Sequence, residues 1–205
     1  MHNPGLRVIL IGGPSHVGKS TLARALASRL GWTCASTDGI VPYPGRPWGH
    51  VRPHVVEHYL SLGPDELFEG VLGHYARIWP EIHRRITVHV RDRSTERLVF
   101  EGSALWAETV ARLHLDGVAA LWLTASPGFL QERIYRASGF DQASPQEQIV
   151  IDRFLGRVQR YNERMRHTLR ELGLPAIDVE TTASLDDLTN RALSLLGLGT
   201  GAEAR

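Results

Sequence analysis

Short apolar runs alternate along the chain with longer segments in which apolar residues recur every three or four positions. Leu6 to Ile11 is a largely apolar run, rich in β-branched residues, that ends at Gly12 and Gly13, which predicts a buried strand. From Lys19 the apolar residues recur at helical spacing as far as Gly31, a residue typical of the position after a helix end. The chain therefore begins with a strand, a glycine-containing loop and a helix.

The same two patterns continue to the end of the chain. Four further apolar runs predict strands, at Trp32 to Ser36, Leu98 to Phe100, Val118 to Leu123 and Ala176 to Val179. Helical spacing predicts helices at Pro64 to Ile86, Leu105 to Leu113, Pro127 to Arg136, Pro145 to Leu172 and Ser184 to Leu196. We expect Pro80 to kink or divide the first of these helices. Strands that alternate with helices predict a five-stranded parallel sheet covered by helices on both faces.

The length of the chain predicts one domain. Its 205 residues compare with about 150 residues for a typical domain, and no linker or internal repeat divides them. We expect the domain to span residues 1–197 and residues 198–205 to form a flexible tail. Between Pro42 and Pro53 lie four prolines and two glycines, a composition that predicts a loop or an extended excursion.

Composition restricts the class of partner. The chain has 23 basic and 22 acidic residues, so it lacks the long-range field that would draw it to nucleic acid or to an anionic membrane. Its longest apolar runs are far shorter than the about 20 residues that cross a bilayer. Cys34 is the single cysteine, which excludes an internal disulfide and favours a reducing, cytoplasmic location. We therefore expect no nucleic-acid partner and no membrane association.

The segment Gly13 to Ser20 matches the pattern of a glycine, four residues and then Gly-Lys-Ser or Gly-Lys-Thr that binds phosphate, and it lies between a predicted strand and a predicted helix. Backbone N–H groups at the helix start can bind the β-phosphate, and the Lys19 ammonium can bridge the β- and γ-phosphates. The Ser20 hydroxyl can ligate Mg²⁺. Lys19 is also the single lysine of the chain. We expect nucleotide contacts from Gly13, Ser15, His16, Val17, Gly18, Lys19, Ser20 and Thr21.

Two other classes of phosphate-loop protein fit this sequence poorly. Guanine-specific GTPases typically recognise the base with an Asn-Lys-x-Asp motif, which a chain with one lysine cannot contain. Transporter and motor ATPases are usually larger. The apolar run Val118 to Leu123 also ends in Thr124, where those ATPases carry a magnesium-binding aspartate.

The sequence resembles the small P-loop kinases, which include 2-phosphoglycerate kinase-like, shikimate and gluconate kinase-like and nucleoside monophosphate kinase-like proteins. Gly13 to Thr21, Ser36 to Asp38 and Phe100 to Gly102 carry the resemblance, and the last two segments look most like 2-phosphoglycerate kinase-like proteins. The resemblance implies the P-loop NTPase fold, a three-layer α/β sandwich around a five-stranded parallel sheet, with ATP and Mg²⁺ as cofactors. It also implies a helical lid at 133–153 and an insertion at 42–92 that binds the phosphoryl acceptor.

Two acidic residues follow predicted strands. In such kinases an acidic residue at the end of the second strand orients Mg²⁺-bound water or accepts the proton of the attacking hydroxyl, and Asp38 has that position. Glu101 follows the third strand, at the edge where parallel sheets bind ligands. We expect both to be catalytic together with Lys19, and Ser20 and Asp38 to hold the metal. A turn aspartate and a helix-capping glutamate are the simpler alternatives.

The resemblance implies that arginines of the lid close over the transferred phosphoryl group. Arg133 and Arg136 lie three residues apart on one face of a predicted helix, ahead of a turn at Ser138 to Ser144, and Arg153 follows on the next helix. We expect Arg133 and Arg136 to be catalytic and Arg153 to contact the nucleotide. The alternative is a solvated arginine face, because the chain is rich in arginine.

The excursion after the second strand is expected to build the acceptor pocket. Its cationic and ring-bearing side chains suit a phosphate, a carboxylate or a ring, and these side chains are Arg46, Trp48, His50 and Arg52. Ordinary anchoring of the loop is the alternative. The leading hypothesis is therefore ATP-dependent phosphoryl transfer to a hydroxyl of a small molecule, such as a 2-phosphoglycerate-like or other small anionic metabolite. An antibiotic- or nucleotide-sugar-modifying phosphotransferase and a nucleotide-binding switch with slow hydrolysis are the alternatives.

Overall fold

Five parallel strands form the centre of the computed structural model, which describes residues 5–41, 45–49 and 53–199. The strands are β1 (Val8–Gly12), β2 (Thr33–Ser36), β3 (Leu98–Glu101), β4 (Val118–Thr124) and β5 (Ala176–Asp178). Their order in the sheet is β2-β3-β1-β4-β5, and every neighbouring pair is parallel. The predicted five-stranded parallel sheet is confirmed.

Helices cover both faces of the sheet. They are α1 (Lys19–Leu30), α2 (Pro53–Ser61), α3 (Pro64–Arg91), α4 (Ala107–Ala111), α5 (Pro127–Ser138), α6 (Pro145–Glu171) and α7 (Leu185–Leu195). Ile9 and Ile11 of β1 belong to a buried cluster with α1, α5 and α7, whereas Val8 and Leu10 belong to a cluster with α3, α4 and the second half of α6. Successive strand residues point to opposite faces, so β1 contributes to both cores and the fold has three layers.

The structure departs from the predicted helices at two places: Pro80 does not divide α3, and an additional helix begins at Pro53. α3 runs through Pro80 as one helix, because the buried residues on either side of the proline, Ile78 and Ile82, pack in the same cluster as Val8 and Leu10 of β1. Pro80 itself is exposed, so the carbonyl that loses its helical hydrogen bond lies on the solvent side. The segment after Pro53 forms α2, which the sequence analysis did not predict. The Tyr59 hydroxyl of α2 donates to the carbonyl of Gly45 at 2.6 Å, which ties this helix to the excursion.

Close packing at the end of β1 explains why two successive glycines, Gly12 and Gly13, stand where the phosphate-binding motif begins. A Cβ atom on Gly12 would lie 2.3 Å from the indole of Trp122, which is held by a hydrogen bond from its Nε1 to the Leu105 carbonyl at 2.9 Å. Gly13 has a φ of 142°, and a Cβ there would lie 2.7 Å from the Leu123 carbonyl. Only glycine therefore lets the chain leave the sheet at this point.

No helix of the described residues is long and apolar enough to cross a membrane. Of the predicted tail at 198–205, residues 200–205 lie outside the described residues.

Candidate active site

The loop between β1 and α1 combines a buried cation with free backbone donors. α1 begins at Lys19 after Gly18, which has a φ of 107° and provides no side chain to cap the first turn. Lys19 is 8% exposed, and its Nζ donates to the carbonyl of Pro14 at 2.8 Å. Burial lowers the pKa of Lys19, while the nearby Glu101 and Asp38 carboxylates act in the opposite direction. The uncapped helix start and the buried ammonium together form an anion-binding site.

A cavity of about 560 Å³ opens beside this loop. The carboxyl ends of β2 and β3 form part of its wall, and so do α3, α6 and the excursion. Most of the predicted site residues line it: Ser15, His16, Gly18, Lys19, Ser20, Thr21, Asp38, Arg46, Glu101 and Arg133.

The two predicted carboxylates lie on neighbouring strands but in different environments. Ser36 of β2 pairs with Glu101 of β3, so the strand ends are side by side. Glu101 is 4% exposed, and the Ser20 hydroxyl donates to its Oε1 at 3.0 Å. Asp38 is exposed in the turn that follows β2, where its backbone N–H donates to the Ser36 hydroxyl. A hydroxyl and two carboxylates supply hard oxygen donors, which are the ligands that Mg²⁺ prefers.

These residues would hold a metal only together with other oxygen atoms. Among the described residues, no group of three or more His, Cys, Asp or Glu side chains has the geometry of a metal site. Mg²⁺ usually keeps several waters and binds one or two carboxylates together with substrate phosphates. The donor set of Ser20, Asp38 and Glu101 fits that mode of binding.

Of the three predicted lid arginines, the structure brings one to the loop. Arg133 of α5 donates from Nη1 to the His16 carbonyl at 3.1 Å, and its guanidinium lies over the Phe129 ring. Arg136 forms an exposed ion pair with Glu132, one turn earlier on the same helix. Arg136 does not line the cavity, and neither does the half-buried Arg153.

His16 joins the phosphate loop to the excursion and to α6. Its φ of 65° is unusual for a residue other than glycine, and its ring lies 5.5 Å from the ring of Trp48 and 5.9 Å from that of Phe154. Burial, followed by the charges of Arg46, Lys19 and Arg133, lowers the pKa of His16 to about 4. Neither ring nitrogen has a hydrogen-bond partner among the described residues. At neutral pH the ring is therefore uncharged and is held by aromatic contacts.

The part of the cavity that is walled by α3 and α6 is built by residues that sequence reasoning missed. α3 contributes Val71, His74, Tyr75 and Ile78, and α6 contributes Phe154 and Arg157. Arg157 is 7% exposed, with its guanidinium 4.7 Å from the Phe154 ring centre and 5.6 Å from that of Tyr59. Val71, Tyr75 and Ile78 belong to the apolar stripe that predicts the helix, so their spacing does not indicate a site. The one sequence signal of this part of the site is Arg157, a cation inside the apolar stripe of α6.

A chain of buried hydrogen bonds connects α6 to the first glycine of the loop. The Tyr161 hydroxyl donates to the Ser103 carbonyl at 2.7 Å, and the Ser103 hydroxyl donates to the Gly13 carbonyl at 2.9 Å. Burial raises the pKa of Tyr161 well above 10, so the hydroxyl keeps the proton that it donates. α6 therefore fixes the position of the loop as well as lining the cavity.

Sequence comparison gives a short match only. No protein-family model matches the chain. One stretch of 35 residues is 63% identical to the shikimate kinase of Nitratidesulfovibrio vulgaris, and it represents 17% of this chain. The match spans about a fifth of that relative, 19% of its length.

Comparison with solved structures covers nearly the whole chain. A gluconokinase from Sinorhizobium meliloti 1021 gives a TM-score of 0.52 at 21% identity, over 93% of this chain and 91% of that one. A shikimate kinase from Bacteroides thetaiotaomicron gives a TM-score of 0.51 at 17% identity, over 93% of this chain and 98% of that one. The chain has the fold of the small P-loop kinases. A third structure with this fold is deoxyadenosine kinase from M. mycoides with bound dATP. It gives a TM-score of 0.50 at 13% identity, over 91% of this chain and 99% of that one.

The predicted P-loop NTPase fold and the resemblance to shikimate, gluconate and nucleotide kinase-type proteins are confirmed. Within this P-loop kinase fold, several predicted residues lie outside the cavity lining. Gly13 and Val17 are buried in the loop itself, and Trp48 contacts His16 without lining the cavity. His50 and Arg52 lie outside the described residues.

Proposed function

We propose that the protein transfers the γ-phosphoryl group of ATP to a hydroxyl of a small anionic molecule, with Mg²⁺ as the metal. One observation carries the proposal: a single cavity joins the phosphate loop to a second half walled by α3 and α6. A kinase needs both halves, because the acceptor hydroxyl must meet the γ-phosphate. A nucleotide-binding switch would need only the first half.

The loop would bind the terminal phosphates of the nucleotide. The Lys19 ammonium donates to the Pro14 carbonyl, and a negatively charged phosphate would be a stronger partner for it. The backbone N–H groups of the first turn of α1 would bind the β-phosphate. Arg133, which is already bonded to the loop backbone at His16, would reach the transferred group from the opposite side when the lid closes.

We assign different roles to the two carboxylates. Glu101 is buried and bonded to Ser20, so it would position the Mg²⁺ ligands, and the metal when bound would neutralise charge on the phosphates. Asp38 is exposed to the cavity, so it would accept the proton of the attacking hydroxyl and also face the metal through water.

The second half of the cavity favours a small acceptor with a negative charge. Arg157 supplies a cation there and Arg46 of the excursion lines the same cavity, whereas Val71 and Ile78 supply apolar surface. The 560 Å³ must hold the terminal phosphates as well as the acceptor, which leaves room for a small acceptor only. A hydroxylated carboxylate or a small phosphoester, as in a 2-phosphoglycerate-like acceptor, fits these limits.

A coupled assay of ADP formation tests the proposal. The chain is incubated with Mg²⁺ and ATP and with a panel of small hydroxycarboxylates and phosphoesters, and mass spectrometry identifies the phosphorylated product. At least one acceptor should raise ADP formation about tenfold or more over ATP alone, which is about 1.4 kcal/mol in the barrier. Slow hydrolysis that no acceptor stimulates would contradict the proposal and support the switch.

Arg157→Gln, with Arg112→Gln as a control, tests acceptor recognition. Arg157 lines the cavity, whereas Arg112 is an exposed residue at the end of α4 that undergoes the same loss of charge. Arg157→Gln should raise the KM for the acceptor about tenfold or more and leave the KM for ATP nearly unchanged. Equal effects of the two substitutions would mean that Arg157 does not contact the acceptor.

A further inference from the structure

A second and larger cavity lies beside the edge of the sheet. Its volume is about 1060 Å³, and it shares no lining residue with the phosphate-loop cavity. The lining includes α6 residues from Gly156 to Arg170 and the paired ends of β4 and β5, Thr124 and Asp178. We call this cavity the α6 groove. It lies at the carboxyl ends of parallel strands, where open sheets commonly bind ligands.

Three arginines of the α6 groove are bonded to neutral oxygen atoms. Arg166 donates to the Ala125 carbonyl at 3.2 Å, and Arg191 donates to the Thr181 hydroxyl at 2.7 Å. Arg170 donates to a carbonyl of α6 at 3.2 Å. None of the three lies within ion-pair distance of a carboxylate in the described part of the chain. Their positive charges are therefore available to an anion.

The remaining charges of the groove balance only in part. Arg160 is paired with Asp65 at 2.7 Å and with Glu163 at 3.5 Å, so its charge is already offset. Asp178 lines the groove, and its Oδ1 accepts from the Glu180 backbone N–H. Three cations without ion pairs thus face one carboxylate.

An unpaired buried acceptor marks the same place. Asn162 is 3% exposed and lines the groove, and its Nδ2 donates to the Ala125 carbonyl at 2.8 Å, the same oxygen that Arg166 binds. Its Oδ1 has no hydrogen-bond partner within the described ranges. Buried acceptors are almost always paired, so the donor for this oxygen is a group that the described residues do not supply, either a water or a ligand hydroxyl.

We propose that the α6 groove binds a small phosphorylated polyol at a site separate from the phosphate loop. Arg166 and Arg191 are anchored at the carboxyl ends of adjacent strands, and their planar guanidiniums match the oxygens of a phosphate. A hydroxyl of the same ligand donates to Asn162 Oδ1, and the Asp178 carboxylate accepts a second one. The ligand thus carries both the charge and the hydrogen-bond donors that the groove lacks. This site does not depend on the proposed phosphotransfer.

Calorimetric titration with glycerol 3-phosphate tests this site in the full chain. Four proteins are compared: the unmodified chain, the double variant Arg166→Gln/Arg191→Gln, the charge control Arg112→Gln, and Lys19→Ala, which weakens the phosphate loop. Saturable binding should persist in Lys19→Ala and Arg112→Gln and weaken tenfold or more in the double variant. Thermal unfolding checks that the double variant folds, and Asn162→Leu provides a second, uncharged probe of the groove.

Two results would overturn the proposal. One is the absence of saturable binding to the unmodified chain at millimolar glycerol 3-phosphate. The other is binding that Lys19→Ala abolishes and the double variant retains, because the phosphate loop would then be the anion site. Inorganic phosphate and glycerol, titrated separately, should each bind more weakly than glycerol 3-phosphate, and equal binding of phosphate would remove the polyol from the proposal.

Discussion

At the residue scale, Lys19 is the group whose loss is easiest to interpret. Among the described residues its ammonium is the buried cation at the helix start. Besides its bond to the Pro14 carbonyl, the loop is held by the backbone conformations of Gly13 and Gly18 and by the Ser103 hydroxyl. We expect Lys19→Ala to reduce phosphotransfer by about 10³-fold or more, because positive charge opposite the transferred group is lost. Initial rates measure the loss, and circular dichroism should show an unchanged fold. Turnover within tenfold of the unmodified chain would argue against a phosphate-loop kinase.

The two carboxylates should respond differently to amide substitution. Asp38→Asn removes the proposed base, so turnover should fall about 10²-fold or more with little change in ATP affinity. Glu101→Gln keeps a partner for the Ser20 hydroxyl but weakens the metal site, so it should raise the Mg²⁺ concentration needed for half-maximal rate. Rates measured across a Mg²⁺ titration separate the two effects. If Asp38→Asn shifts the Mg²⁺ dependence and Glu101→Gln removes turnover, the roles are reversed.

His16 makes stability depend on pH. Its pKa is about 4 in the folded chain against 6.5 for an unperturbed histidine, so the unfolded chain takes up a proton first as the pH falls. Stability should therefore decrease from pH 6.5 to pH 4. His16→Asn, which tolerates a positive φ and does not titrate, should make the thermal midpoint less sensitive to pH over this range.

His114→Asn is the matched control for this experiment, because His114 is an exposed histidine. The pKa values of His58 and His74 are also lowered by burial, so part of the pH dependence should survive in every variant. An unchanged slope in His16→Asn would mean that folding does not lower the pKa of His16.

At the scale of elements, the proposal of a lid depends on the role of Arg133. Arg133→Ala should lower turnover about 10²-fold with a modest effect on ATP affinity, because its charge acts mainly on the transferred phosphoryl group. Arg136→Ala is the control on the same helix, since Arg136 is paired with Glu132 outside the cavity. Hydrogen exchange at 133–153 should slow when an ATP analogue and an acceptor are both bound. Normal turnover in Arg133→Ala, together with unchanged exchange, would place the lid elsewhere.

Most elements could be predicted because local residues determine where they begin and end. Gly31 and Gly139 end α1 and α5 with a φ of 66°, and the hydroxyls of Ser126 and Ser144 cap the starts of α5 and α6. α2 could not be predicted, because its start after a proline-rich stretch depends on packing of Tyr59 under the excursion. Local signals report helix ends well and tertiary packing poorly.

At the scale of the whole molecule, the sequence predicts one half of the candidate site. The phosphate loop is contiguous, and strand ends in a parallel sheet meet at one edge, so Lys19, Asp38 and Glu101 could be placed together in advance. The proposed acceptor half depends on α3 and α6, which are far apart in the chain and contact each other only in the fold. His74 and Arg157 follow no motif, and their positions become visible only in the cavity.

The single lysine allows one side-chain amine of the molecule to be modified selectively by a chemical reagent. An acylating reagent that attacks unprotonated amines has one side-chain target in the whole chain, Lys19, besides the terminal amine. Burial lowers the pKa of this amine, which increases its reactive fraction at a given pH. A bound triphosphate would engage the amine and shield it. The extent of acylation, read from the intact mass, would then report phosphate-loop occupancy directly, without a label on the nucleotide and before any acceptor is known.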